Sequence, residues 1–309
     1  MRSFVFPGQA SQKVGMGDWL IERFPTAREI YERADDELEM KLTDIILNGP
    51  MERLTETEIT QPAVLTTSVA FDRALREMGY APDVVAGHSL GEYSALVSAG
   101  ALDFGEALRA VRDRGRYMQE AMPLGAGTMA AIFRLDPAVI EELCSAVQQD
   151  TDGVVEVAGY NAPDLTVISG DKACVLEAMA RCKAQRGNAT EIAVSAPFHC
   201  ARMRPAADAL AERLAGVTLG PLAVPYVANV DGEQHTDHGG IVDRLVTQVV
   251  EPVRWLQSSR TMVEMGVDEF LEVGPGNVLC GFTRRLDRGL TALPVSEPRG
   301  RHLFDGGPA

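Results

Sequence analysis

The 309-residue sequence has no apolar run near the roughly 18 residues needed to cross a bilayer, which excludes a helical membrane span. The opening MRSFVFPGQ holds too short an apolar segment for a signal peptide and breaks at once into a glycine turn, so a cytoplasmic location is expected. Cysteine is scarce and unpaired. Cys144, Cys174, Cys182, Cys200 and Cys280 are odd in number, irregularly spaced and free of any Cys-x-x-Cys or Cys/His cluster, so neither a disulfide framework nor a zinc site is expected. Basic charge is in deficit: 29 Lys and Arg against 44 Asp and Glu leave a net charge of −15, which disfavours nucleic acid and anionic membranes as partners. Histidine is rare enough to audit. Of five, His235 and His238 fall in the polar loop GEQHTDHGG and His302 in a polar terminal segment, leaving His88 and His199 for chemistry.

What is present is an alternation of strand and helix. Ser3–Phe6 reads as a buried strand ending in a turn; helices follow at about 17–37 and 62–78, the second with Pro62 in its first turn. A strand at 83–87, helices through 106–121, a helix at 205–215, a strand at 224–228, a helix at 241–249, a strand at 269–273 and a basic helix at 277–287 complete the pattern of a parallel α/β sheet covered by helices. Residues 127–194 break it. There the order is strand, helix, strand, strand, helix, strand, a ferredoxin-like βαββαβ unit. The expected organisation is a large subdomain from 1–124 and 195–295, an inserted subdomain over 125–194, and a loosely held tail over 296–309.

Within this frame, AGHSLGEY at 86–93 places Ser89 between Gly87 and Gly91, where a strand turns into a helix. Such an elbow lifts a serine hydroxyl clear of the backbone and aims helix N–H groups at whatever it attacks. A serine needs a base. His199, in SAPFHCARM at the end of a strand, can reach over a neighbouring strand end, although spacing alone equally allows a satisfied interior histidine. His88 adjoins the serine, so its side chain points away and supports the turn. No Asp or Glu between Ser89 and His199 stands out at a strand end, leaving a Ser–His dyad oriented by a main-chain carbonyl.

FPGQ at 6–9, QPA at 61–63, GHSLGEYSAL at 87–96, RG at 114–115 before YMQEAMP, FHC at 198–200 and EVGPG at 272–276 occur in this order. Together they resemble the malonyl-CoA:acyl carrier protein transacylase family of fatty acid and polyketide synthesis, over about residues 3–295. The resemblance implies an α/β-hydrolase-like large subdomain with a ferredoxin-like insertion. It implies Ser89 as acyl-accepting nucleophile, His199 as general base and acid, and the N–H groups of Gln9 and Leu90 as oxyanion hole. It further implies Gln248 as the residue whose carbonyl orients the histidine, Arg114 as a clamp for the substrate carboxylate, and Asn161 and Val273 as cleft-lining positions. Malonyl-CoA and an acyl carrier protein are the implied partners, with no bound cofactor or metal.

Without the resemblance, Arg114 is not distinguished from Arg109, Arg112 and Arg116 on the same helix. Phe198 carries the selectivity expectation: in polyketide acyltransferases a Phe-His pair accompanies malonyl and a Ser-His pair methylmalonyl, the ring filling the space of an α-methyl group. Two departures are visible. Ala10 stands where the family usually has glycine, and Gly159 where many members have asparagine. Since carrier proteins are acidic, basic residues are expected around the cleft mouth, from among Arg116, Lys183, Arg186, Arg202, Arg204, Arg284, Arg285 and Arg288. Two rival readings use the same residues: a hydrolase clearing acyl groups from carrier proteins, and a non-catalytic carrier-binding module.

Overall fold

The computed structural model describes residues 1–194 and 196–306. Among these residues ten strands form two sheets. The first contains β1 (Arg2–Phe6) and β2 (Val84–Gly87); the second contains β3 (Gly127–Phe133), β4 (Val155–Ala162), β5 (Leu165–Asp171) and β6 (Asn188–Ile192). The chain then returns to the first sheet with β7 (Tyr226–Val227), β8 (Gln234–His235), β9 (Glu269–Glu272) and β10 (Thr291–Pro294).

The larger sheet runs β10-β9-β1-β2-β7-β8, parallel except for the edge strand β8. Its strands read as apolar runs because helices cover both faces; β2 is buried throughout. The smaller sheet, β4-β5-β3-β6, is antiparallel at every pairing, the ferredoxin-like order. It has a core of its own, from Ala130 and Ile132 to Val175 and Cys182. Main-chain bonds across Ala158–Val253 and Tyr160–Val253 (3.0 and 2.9 Å) tie this unit to the large sheet's side of the molecule, beside the site.

Four expectations need correction. The second long helix begins at Thr57, not at 62, so Pro62 lies inside it. Proline removes one N–H but burial of nearly the whole helix outweighs that loss. The strand expected over 224–228 contracts to Tyr226–Val227. The fourth strand of the small unit starts at Asn188 and ends at Ile192, before the expected boundary; Ser195, where the large subdomain was expected to resume, lies outside the described residues.

The expected loose tail is docked as far as it is described. A helix at Pro298–Arg301 and a turn at His302–Phe304 bury Leu303 and Phe304. The Phe304 ring packs edge-on against Trp19 and Phe24 at centroid distances of 5.2 and 5.7 Å. Its sequence, SEPRGRHLFDGGPA, is polar on average, and the two apolar residues that anchor it are too few for periodicity to reveal.

Candidate active site

The site lies at the C-terminal ends of β1 and β2, where open parallel sheets leave a crevice. Ser89 follows β2 and precedes the helix Gly91–Ser98. Its φ of 53° is left-handed, a conformation that a non-glycine residue holds only when its surroundings enforce it. The surroundings are tight. A Cβ on Gly87 would lie 1.9 Å from the Gly91 carbonyl carbon, and one on Gly91 would lie 2.0 Å from the Phe6 oxygen. The elbow glycines therefore serve close backbone approach. Asn229 staples the turn: its Oδ1 accepts the Ser89 N–H at 2.7 Å and its Nδ2 donates to the Gly87 carbonyl at 2.6 Å.

His199 also has a left-handed backbone, φ 60°. Its Nε2 sits 2.7 Å from Ser89 Oγ and its Nδ1 2.7 Å from the Gln248 main-chain oxygen. The carbonyl accepts only, so Nδ1 carries the hydrogen and the Nε2 lone pair faces the serine O–H. Burial, then the nearby Arg114 charge, pushes the His199 imidazole down to about 3, keeping it neutral and able to accept a proton. His88 points away from the serine as expected: it bonds Asn161 Oδ1 at 2.8 Å and packs against Trp255 and Phe282.

Arg114 is buried, and it alone of its helix's four arginines reaches the serine. Arg109 pairs with Glu37 and Glu106, Arg112 turns to the Leu38 carbonyl at 3.4 Å, and Arg116 pairs with Asp113 at 3.2 Å. The Arg114 Nη1 donates to Gln61 Oε1 at 2.8 Å; Nη2 donates to Gln248 Oε1 at 3.0 Å and to Ser89 Oγ at 3.1 Å. Its Nε–H has no partner among the described residues, and desolvation holds the guanidinium below the usual arginine range. The neighbouring Gly115 has a structural reason: a Cβ there would meet the Thr57 carbonyl oxygen at 2.6 Å, where two helices touch.

A cavity of about 250 Å³ opens over these groups. Gln9, Leu90, Asn161 and Phe198 line it together with Ser89, His199 and Arg114. The main-chain N–H groups of Gln9 and Leu90 have no partner among the described residues, so both remain available to a developing oxyanion. Ala10, also in the wall, has a φ of 75°, the reason a glycine suits that position better. Val273 does not line the cavity; it is fully buried, and its N–H donates to the Val5 carbonyl at 2.8 Å.

The expected basic residues fall on surface that shares no lining residue with the cavity. Lys183 and Arg285 share one surface depression with Arg134, which contiguous surface bearing Arg284 and Arg288 extends; the helix Val278–Leu286 carries Arg284 and Arg285 outward and Val278, Leu279 and Phe282 into the cavity wall. Three of the expected cations are engaged by carboxylates, Arg116 by Asp113, Arg202 by Asp171 and Arg285 by Asp164 at 2.7 Å, and Arg284 donates to the Ala292 carbonyl at 2.9 Å.

Sequence reasoning missed Gln61, Glu92 and Asn229. Gln61 and Glu92 stood in motifs already quoted. Glu92 carried a signal, an acid in the otherwise apolar helical stretch after Ser89, which the structure explains by burial against Gln248 and Asn229. Among the described residues no group of three or more His, Cys, Asp and Glu side chains is gathered as a metal site would need, and no helix is long and apolar enough to cross a membrane.

A serine hydroxyl against a neutral imidazole, at the C-terminal edge of a parallel sheet and beside unpaired N–H groups, defines the class of α/β enzymes that work through an acyl-serine. The chain belongs to the family described as acyl transferase domain, which matches residues 3–293. It is 46% identical over 298 residues to the malonyl CoA-acyl carrier protein transacylase of Escherichia coli K12, covering 96% of each chain. The transacylase of that name from Coxiella burnetii has a similar structure, with a TM-score of 0.94 at 42% identity over 98% of this chain and 95% of that one. A malonyl-transacylase solved in complex with a type II PKS acyl-carrier protein aligns with a TM-score of 0.91, 42% identity and coverage of 96% and 97%.

Proposed function

We propose that the protein moves a malonyl group from malonyl-CoA to the phosphopantetheine thiol of an acyl carrier protein, as an S-malonyltransferase. The observation that carries this reading is the position of Arg114: a buried cation 3.1 Å from the serine oxygen, where an acyl chain ending in a carboxylate would place its charge. A guanidinium holds a carboxylate through two parallel charge-assisted bonds.

In the first step His199 Nε2 takes the Ser89 proton as the serine oxygen attacks the thioester carbonyl. The tetrahedral oxyanion rests on the N–H groups of Gln9 and Leu90. Collapse expels CoA thiolate, which takes the proton from His199, and leaves a malonyl-serine ester with its carboxylate on Arg114. The carrier's thiol then gives its proton to His199 and attacks the ester; the serine oxygen leaves and recovers that proton. Gln248 keeps the imidazole in one tautomer throughout, and Asn161 holds His88 beneath the turn. Nothing in this sequence calls for a metal or redox cofactor.

Phe198, buried in the cavity wall beside His199, restricts room at the α-carbon and favours malonyl over methylmalonyl. The catalytic groups come from 1–124 and 195–295, with 125–194 inserted as a cover over the cleft. The acidic carrier approaches over Lys183, Arg284, Arg285 and Arg288; a cytoplasmic location accompanies that partner. A hydrolase for neutral acyl chains would leave Arg114 buried without an anion, which is costly. The test is labelling with radioactive malonyl-CoA: the wild type retains label, Ser89→Ala retains none, and label persisting on Ser89→Ala refutes the assignment.

A further inference from the structure

Nucleophile, base and guanidinium are all tied to one residue, Gln248, and Gln248 is tied to Glu92. Glu92 lies in the first turn of the helix Gly91–Ser98 and is 1% exposed. Its Oε2 accepts the Gln248 Nε2–H at 2.6 Å and the Asn229 N–H at 3.3 Å; its Oε1 is buried with no partner among the described residues. The same Gln248 amide donates to the Ser89 carbonyl at 3.0 Å, with Asn229 Oδ1 at 3.2 Å, and accepts Arg114 Nη2 at 3.0 Å. A guanidinium only donates and an ionised carboxylate only accepts. Set at opposite ends of one amide, they allow it a single orientation. Turned over, it would face donor with donor and acceptor with acceptor.

We propose that Glu92 is a positioning residue for malonyl transfer: its carboxylate locks the Gln248 amide so that Oε1 holds Arg114 against Ser89, ready for the substrate's carboxylate. The inference rests on the malonyl-transfer reading and deepens it. Glu92 does not touch Ser89 Oγ or His199; it acts through Gln248.

The lock is sensitive to pH. Burial pushes the Glu92 carboxyl up to about 7, against the opposing hydrogen bonds from Gln248 and Asn229. The charged and titratable groups facing it are Asp231 and Arg244, Tyr93 of its own helix, Arg114 and Tyr226. Acidification through that value converts the obligate acceptor into a group that also donates, and the lock loosens. Charge alone predicts the reverse, since removing a nearby negative charge strengthens the pull of Arg114 on an incoming carboxylate.

The experiment compares wild type with Glu92→Gln, which keeps the shape and removes the obligate acceptor. In the variant the KM for malonyl-CoA rises about tenfold, the value of one charge-assisted hydrogen bond, and the preference for malonyl over acetyl narrows by a similar factor. Reaction of Ser89 with an uncharged fluorophosphonate stays within about twofold, because the Ser–His pair is intact. A wild-type KM that rises as pH falls from 8 to 6, with a flat profile in the variant, completes the expected result. The pH series on wild type stands as the test by itself should the variant not fold. An unchanged or widened malonyl preference, a KM that falls on acidification, or equal loss of malonyl and fluorophosphonate reactivity overturns the proposal. A wild type inert to fluorophosphonate would strike the nucleophile assignment instead.

Discussion

Replacing Arg114 by methionine removes the cation while filling most of its volume, and it separates two roles that the position could have. In the malonyl ester the carboxylate would take two guanidinium N–H groups, each such bond contributing about 1.5–3 kcal/mol. Part of this is offset, because the substrate carboxylate must leave water and Arg114 must release the contact that Nη2 makes with Ser89 Oγ in the free enzyme. A net loss of about 3–4 kcal/mol is expected, a fall of roughly 10² to 10³ in kcat/KM for malonyl-CoA. Acetyl-CoA has no carboxylate to lose. Its rate is expected to hold or rise, since removing the Arg114 charge removes one of the causes that depress the His199 imidazole and make it a weaker base. Gln61 Oε1 and Gln248 Oε1 lose a donor each, so the variant is also less stable, and a melting curve must accompany the kinetics. The assay is single-turnover acylation with labelled malonyl- and acetyl-CoA. Equal falls with both donors would refute the clamp and leave Arg114 as a support for the serine alone.

Two further outcomes follow from packing and backbone. Phe304→Ala deletes a fully buried ring packed edge-on against Trp19 and Phe24 and should cost about 3–5 kcal/mol, read as a drop in Tm; no change would mean that the terminal segment does not dock in solution. Ala10→Gly relieves a left-handed φ of 75° and should raise stability by about 0.5–1 kcal/mol while transfer activity is retained; a lower Tm would refute strain at that turn.

The alternation of strand and helix, the βαββαβ insertion and the serine elbow were legible because each is written in neighbouring residues. Strand and helix periods show within a dozen positions, and Gly87-x-Ser89-x-Gly91 answers a backbone crowding that is local to one turn. The helix around Pro62 starts earlier than its local signals suggest because burial overrode local preference, and the strand at Tyr226–Val227 is short because Pro225 has no N–H to donate and Ala228 already bonds into the turn at Gly232 and Glu233.

The sequence by itself thus determined which groups could perform the chemistry: a hydroxyl on a forced turn, one free imidazole, and a set of candidate cations. Only the tertiary structure decided which of them act together. Four arginines on one helix are equivalent as a string, but the helix buries one face against the Thr57–Glu77 helix, and that rotation sends Arg114 inward and Arg109, Arg112 and Arg116 to other partners. Glu92, Arg114, His199, Asn229 and Gln248 lie far apart along the chain, yet meet within hydrogen-bond distance through Ser89 and one amide. No local pattern encodes such a meeting, because it is set by how sheet and helices pack.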